Sequence, residues 1–328
     1  MSKTEFKNRV LGCVILKSIN SNFNADFTHH PRTLPDGVVY STDKALKYAV
    51  KDYFRKHNAV GDNIFYIKRL NESLNPLTLD ETYIDLFGEY PKKKTKKKDK
   101  ESEEINRLEI LKNLLSCVDI RLFGATFAGE TNISIHGTVQ INHGVNRFPE
   151  NQFYTEDILS PFRNPGEEGS AEKGMSTIGN QTNLKEGHYV FHFSVNPKNT
   201  EELYKKVNDN TLFLSNEDIQ KLKEAFNNSV TALDSSRKIG TENEATVFVQ
   251  LNEGSKKMLP SLTELVNVKR NGEKVEIDCS LVQQSLQKID SDVMNVEVYY
   301  NPINTIIKGI DKNIKTNHLN ILNNEEIK

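Results

Sequence analysis

Hydrophobic residues in this chain fall into short runs separated by long polar stretches, and their spacing sets the expected elements. Residues 10–16 (VLGCVIL) are continuously apolar and include β-branched side chains, the pattern of a buried strand. An irregular polar stretch follows over 18–40, with Asn20, Asn22, Asn24, two prolines and Gly37. Ser41 or Thr42 then offers an N-cap for a helix running to about His57. Its apolar positions Ala45, Leu46, Ala49, Val50, Tyr53 and Phe54 recur at helical spacing. Further strands are expected at 64–68, 119–127, 133–141, 188–195, 245–251, 275–279 and 295–300. Helices are expected at 105–117, 200–207, 281–289 and from Ser215, where Asp218 holds a capping-box-like position. Residues 148–187 are polar and aperiodic, which marks a functional excursion or a disordered loop. The Asn-rich tail after Lys308 is expected to fray. Strands and helices alternate only loosely, so an α+β fold fits better than a doubly wound sheet.

Charge modifies this picture locally. The 328 residues carry 43 Lys+Arg against 45 Asp+Glu, a formal net charge of −2, and such a balance argues against a nucleic-acid binder. Yet residues 1–60 hold ten basic and five acidic side chains, and residues 92–100 hold seven and one. A neutral total therefore excludes little, because local fields steer a polyanion. Cys13, Cys117 and Cys279 lie far apart, with no C-x-x-C pair, which predicts a reducing compartment and neither disulfides nor a zinc site. The apolar run at 10–16 is too short for a signal peptide and far short of a membrane span. A cytoplasmic protein without a membrane partner is expected.

Candidate chemistry is sparse. Lys44, Lys47 and Lys51 share one face of the first predicted helix, where successive ammonium groups can follow a phosphate backbone. An ordinary solvated face has the same spacing. Asn20, Asn22, Asn24 and Arg32 can hydrogen-bond phosphates and sugars, although Asn is also common in plain loops. KKKTKKKDK at 92–100 would attract a polyanion, and otherwise reads as a disordered, solvated connector. His29 and His30 are adjacent and point apart. His188 and His192 can share a strand face, but the aromatic residues between them indicate a packed sheet. No metal-ligand spacing, phosphate-binding loop or nucleophile elbow occurs. Asp26 and Asp36 lack a third carboxylate at a telling spacing, so neither metal nor cofactor is expected.

Four blocks in chain order carry more information than any of these motifs. They are NFNADFTHHPRTLPDGVVYSTDKALKY at 22–48, DIRLFGATFA at 119–128, ISIHGTVQINHGVN at 133–146 and SSRKIGTENEATVFV at 235–249. Together they resemble the repeated backbone subunit of type I CRISPR Cascade complexes, in particular the type I-B branch, over roughly residues 8–300.

The resemblance implies an α+β, RRM-like (ferredoxin-like) palm over 1–328: an antiparallel sheet flanked by helices, with fingers and thumb insertions. Residues 61–104 would form a fingers-like insertion with the lysine-rich loop, and 148–187 the thumb hairpin. Residues 309–328 would be a frayed tail. The implied function is non-catalytic: copies polymerise as a helical filament along the crRNA spacer, hold its sugar-phosphate backbone and leave bases free to pair with target DNA in antiviral defence. Implied partners are the crRNA guide, target DNA by way of guide pairing, further copies of the chain, and other Cascade subunits. Those subunits are the large subunit, the repeat-handle-binding subunit and the guide-processing endoribonuclease. Carried over by position, the implied RNA contacts are Asn22, Asn24, Arg32, Lys44, Lys47, Lys51, Arg121, Gln140, Asn142, Ser235, Arg237 and Lys238. Tyr48 stands where relatives often place a second basic residue. Arg121 falls on an expected palm strand, Gln140 and Asn142 on the next, and strand periodicity does not say which face meets RNA. Met175 and Ile178 suit a thumb wedge beside a displaced base, and equally plain hairpin packing. The competing implication is a metal-dependent ribonuclease of the type III backbone kind, with Asp26 in the catalytic position.

Overall fold

The computed structural model describes residues 4–57, 63–97, 100–163, 175–313 and 315–327. The long apolar run forms β1 (Val10–Ser21). Val10, Val14 and Leu16 enter one apolar cluster while Leu11, Cys13 and Ile15 enter another, so the continuous run reflects burial on both faces. Gly12 lets the neighbouring strands close in, since a Cβ there would collide with the Val247 carbonyl. After β2 (Tyr40–Ser41) comes α1 (Asp43–His57), which buries Leu46, Ala49, Val50 and Phe54.

Next come α2 (Leu79–Phe87), the hairpin of β3 (Lys92–Lys97) and β4 (Lys100–Ile105), α3 (Arg107–Ser116), α4 (Val118–Phe123), β5 (Gly124–Ala128) and β6 (Asn132–His136). A third apolar cluster gathers Phe65, Tyr83, Ile110, Leu114, Ile120, Phe127 and Ile135, so packing in this segment extends well past residue 104. The chain returns through β7 (Val139–Ile141), β8 (Gly144–Asn146), β9 (Phe153–Arg163) and β10 (Met175–Val195). Then follow α5 (Glu201–Val207), α6 (Asn216–Asn228) and β11 (Thr241–Leu251). The C-terminal part holds α7 (Leu262–Leu265), β12 (Asn267–Asn271), β13 (Lys274–Asp278), α8 (Ser280–Gln287), β14 (Val293–Tyr300), β15 (Thr305–Lys308) and β16 (Thr316–Asn320).

The main sheet runs β16–β14–β11–β1–β10–β8–β2, with β7 and β9 also paired to β10. β1 is antiparallel to both β10 and β11, and β10 is antiparallel to β7 and β8. Thus β1–α1–β8 flanks β10, and β10–α6–β11 flanks β1. Each is a parallel crossover split by one antiparallel strand. α1 and α6 cover one face, where Phe54, Leu222 and Phe226 join Phe191, Phe193 and Phe248. The small sheet β12–β13–β15, with α7 and α8, covers the other through Leu262, Val268, Val275, Ile277 and Val282. The architecture is α+β with a largely antiparallel sheet, and neither face of its centre is open to solvent.

Several elements differ from the sequence pattern. The strand expected at 64–68 is irregular, because the buried Asp119 carboxylate takes the backbone donors: Phe65 N–H at 2.9 Å and Tyr66 N–H at 2.8 Å. The strand expected at 119–127 splits into α4 and β5 at Gly124, whose φ of 80° is open to glycine and strained for other residues. The lysine run is not a disordered connector over its described part, since β3 pairs with β4 in a register that sets Lys93 opposite Glu104 and Lys94 opposite Glu103. The excursion at 148–187 is largely β9 against β10. Because β10 pairs with β1 only from Leu184 onward, the arms beyond that point leave the sheet as a two-stranded hairpin. In the described part of the tail, β16 adds in parallel to β14, and Ile310 and Ile321 are buried.

Candidate nucleic-acid interface

The first-helix stripe opens onto a cleft. Asn24 Oδ1 accepts from the backbone N–H and the hydroxyl of Thr42, both at 2.9 Å, and Thr42 Oγ1 in turn accepts from Ala45 N–H. This pins the start of α1, so Asn24 orients the helix that carries the lysines. Lys44 is the exposed member, at 84% of its side chain, while Lys47 and Lys51 lean inward. Lys47 bonds Asp43 at 3.0 Å and lies 5.7 Å from the Phe123 ring centre; Lys51 lies 5.9 Å from that of Tyr66.

Lys47, Lys51, Tyr66, Thr126, His136 and Gln140 line a cleft of about 330 Å³, with the buried Asp119 carboxylate at its floor. Burial lowers the Lys51 pKa, and the neighbouring Lys47 adds to this while Asp119 opposes it. Burial likewise raises Asp119, against the two backbone N–H donors and Lys51. Tyr66 is pushed up to about 12 by burial and by Asp119, so its phenol stays protonated and donates to the Thr126 carbonyl at 2.9 Å. At the start of α1, His143 Nδ1 lies 3.7 Å from Asp43. Such a cleft offers cationic and neutral donors with an aromatic wall, groups suited to phosphate and sugar.

A second cluster forms where β1 ends. Asn22 N–H donates to the Arg237 carbonyl at 2.8 Å, and Asn22 Nδ2 donates to Thr182 O at 3.1 Å and His29 O at 3.3 Å. Lys238 Nζ donates to Phe23 O at 3.0 Å, 5.0 Å from that ring's centre, and burial lowers its pKa. Asn22, Arg237 and Lys238 thus clamp the 22–40 loop, the 235–240 loop and the foot of the β9–β10 hairpin together. Ser235 is exposed beside them. Arg32 is half-buried, and its Nε has no hydrogen-bond partner among the described residues.

Two residues stand apart from this arrangement. Arg121 is not on a strand: it lies in α4, 1% exposed, with Nε and Nη2 bonded to Asp218 at 3.0 and 2.7 Å and Nη1 to the Leu115 and Ser116 carbonyls. A guanidinium enclosed in this way ties α4 to α6. Asn142 holds Ser261, Thr263 and the His192 N–H, joining β7 to the C-terminal layer. Met175 sits opposite Arg163 on the hairpin, and the side chains of Met175 and Ile178 lie outside those described.

Asp26 Oδ1 closes its own turn, accepting from Thr28 N–H and Oγ1–H at 2.8 Å and from His30 N–H at 3.0 Å. These bonds, chiefly that of the Thr28 hydroxyl, lower its pKa. Among the described residues no three His, Cys, Asp or Glu side chains gather as a metal site, and no helix is long and apolar enough to cross a membrane. Sequence reasoning missed Tyr66, Thr126 and His136, which reach the cleft from segments distant in the chain. No local spacing announces that meeting.

Residues 8–289 match the family described as CRISPR-associated protein Cas7. No curated protein matches the sequence. Among solved structures, a chain of a "CRISPR RNA-guided surveillance complex" aligns at 13% identity and TM-score 0.47, covering 89% of this chain and 88% of that one. A chain of a "CRISPR RNA-guided surveillance complex, pre-nicking" aligns at 12% identity and TM-score 0.49, covering 95% and 96%. With the family match spanning most of its length, the chain belongs to the Cas7 family of CRISPR-associated proteins.

Proposed function

We propose that this chain is the guide-RNA-binding backbone subunit of a cytoplasmic type I-B Cascade complex, without catalytic activity of its own. The observation that carries this is the α1 lysine row opening onto the cleft of Lys47, Lys51, Tyr66, His136 and Gln140, in a chain of the Cas7 family. The split crossovers around β1 and β10 support an RRM-like palm, with the segment between α1 and β7 as fingers and the β9–β10 hairpin as thumb. An RRM reads RNA by stacking bases on an open sheet face. Here the C-terminal layer occupies that face, so the guide runs along α1 and the loops at the end of β1, held by its backbone. Copies would follow one another along the spacer, with the thumb that carries Met175 and Ile178 as the proposed wedge that displaces a base. The remaining bases pair with target DNA while other Cascade subunits close the two ends.

The ribonuclease alternative loses support from Asp26, whose Oδ1 is engaged within its own turn. Purified chain should bring RNA with it, visible in the ultraviolet absorbance ratio and, on sequencing, as repeat-derived handles. Nucleic-acid-free chain that binds no guide-length RNA would contradict the proposal.

A further inference from the structure

Phe27 is 96% exposed, the highest value among the described large apolar side chains. A lone exposed Phe on a slack loop would need no explanation, but this one is held in place. Besides the three bonds to Asp26 Oδ1, Asp26 N–H donates to His30 O at 2.8 Å and His29 N–H to Asp26 O at 3.2 Å. Ala25 bridges Pro31, and His29 adopts φ 69° to close the tip. Asn22 Nδ2, itself buried, fixes the His29 carbonyl to the sheet end. The turn therefore keeps an apolar ring in water, a costly arrangement unless a flat partner covers it.

The surroundings identify that partner. The loop that carries the ring also holds His29, His30 and Arg32, and its first residues Asn22 and Phe23 bond the Arg237 carbonyl and the Lys238 ammonium. Asp26 is the one acidic side chain in the 26–30 turn, and its Oδ1 faces back into that turn. A flat, exposed ring on a loop with hydrogen-bonding side chains and an arginine is the chemistry of base stacking, where the backbone is held electrostatically and the π-face is covered without regard to sequence. We infer that Phe27 is a stacking platform for one nucleobase of the bound RNA. This rests on the guide-binding proposal and adds a base contact on the palm side, separate from the thumb.

The chain contains no tryptophan, so Phe27→Trp installs a single reporter at an exposed position. Its emission is to be followed while the chain is titrated with a uridine-rich RNA and with an abasic ribose-phosphate strand of equal length. Stacking predicts quenching by the RNA and none by the abasic strand. Phe27→Ala should bind the RNA about tenfold more weakly, with an unchanged salt slope because no charge is lost. Unquenched emission on RNA that binds, or a Phe27→Ala affinity equal to the parent's, overturns the inference alone. An emission change equal on the abasic strand, or rising with protein concentration, assigns the ring to a contact between copies and also overturns it. RNA that does not bind the parent chain overturns the guide-binding proposal together with this inference.

Discussion

Arg121 separates a structural role from an RNA contact. Its guanidinium and the Asp218 carboxylate are each about 1% exposed and meet through two hydrogen bonds. Asp218 also caps α6 by accepting from Ser215 N–H at 3.0 Å. Arg121→Met keeps the bulk but leaves Asp218 without its cation, and the Leu115 and Ser116 carbonyls without a donor. Breaking a buried pair from one side costs about 3–5 kcal/mol, because the surviving charge stays enclosed. For a chain of 328 residues that corresponds to a fall in Tm of about 4–7 °C, measurable by calorimetry. Adding Asp218→Asn keeps a capping oxygen and removes the stranded charge, so the double variant should regain part of the loss. At a temperature where Arg121→Met remains folded, its RNA affinity and salt slope should equal the parent's. Lys47→Glu should do the reverse. Its helix neighbour Asp43 makes the like-charge cost only about 0.5 kcal/mol, while the slope of log affinity against log salt falls by about one phosphate contact or more. An Arg121→Met chain of unchanged stability with weakened RNA binding would refute the structural assignment.

Other expected outcomes concern charge inside and outside the sheet. Burial would lower the pKa of His188, but contact with Glu244 and a 3.1 Å bond to Glu186 override it and raise the value above normal. The stabilisation from the charged imidazole is therefore complete below about pH 6.5 and is lost as pH rises through the higher folded-state value. His188→Gln should flatten that part of the pH–stability curve; an equally pH-dependent variant would assign the effect elsewhere. Asp26→Ala should loosen the 26–30 turn, read as faster amide exchange there. Complementary RNA incubated with assembled complex and Mg²⁺ should stay intact in parent and variant alike, and periodic cuts that vanish with Asp26→Ala would establish the ribonuclease alternative. RNA affinity should also fall on alkalinisation before ordinary lysines titrate, because burial lowers the Lys51 pKa; an affinity flat until free lysines deprotonate would remove Lys51 from the interface.

Local rules made the core strands and α1 legible, because the buried side chains of β1, α1, β10 and β11 keep the spacing of their elements. Ser215 and Asp218 likewise announced α6, and both halves of its capping box form. The box of Thr78 and Glu81 that starts α2 was equally written in the sequence, yet it precedes a segment too short for a strong apolar rhythm. What was not legible depends on contacts between distant residues. Asp119 takes the donors that would otherwise have made a strand at 64–68. Arg121 reads as an available cation until Asp218, 97 positions later, encloses it. In the site, the lysine spacing on α1 was visible, whereas Tyr66, Thr126 and His136 join it only through the third apolar cluster. Asn22 and Asn24 were picked out as RNA contacts, whereas the structure has their side chains building the loop and the helix start.

The central claim is that copies of this chain line up on a guide by gripping its backbone. Native mass measurement of the chain with RNAs of increasing length and unrelated sequence tests it most directly. Bound copies should rise in proportion to RNA length, independently of sequence, and dissociate together as salt is raised. One copy bound whatever the length, or binding to a single sequence alone, would contradict it.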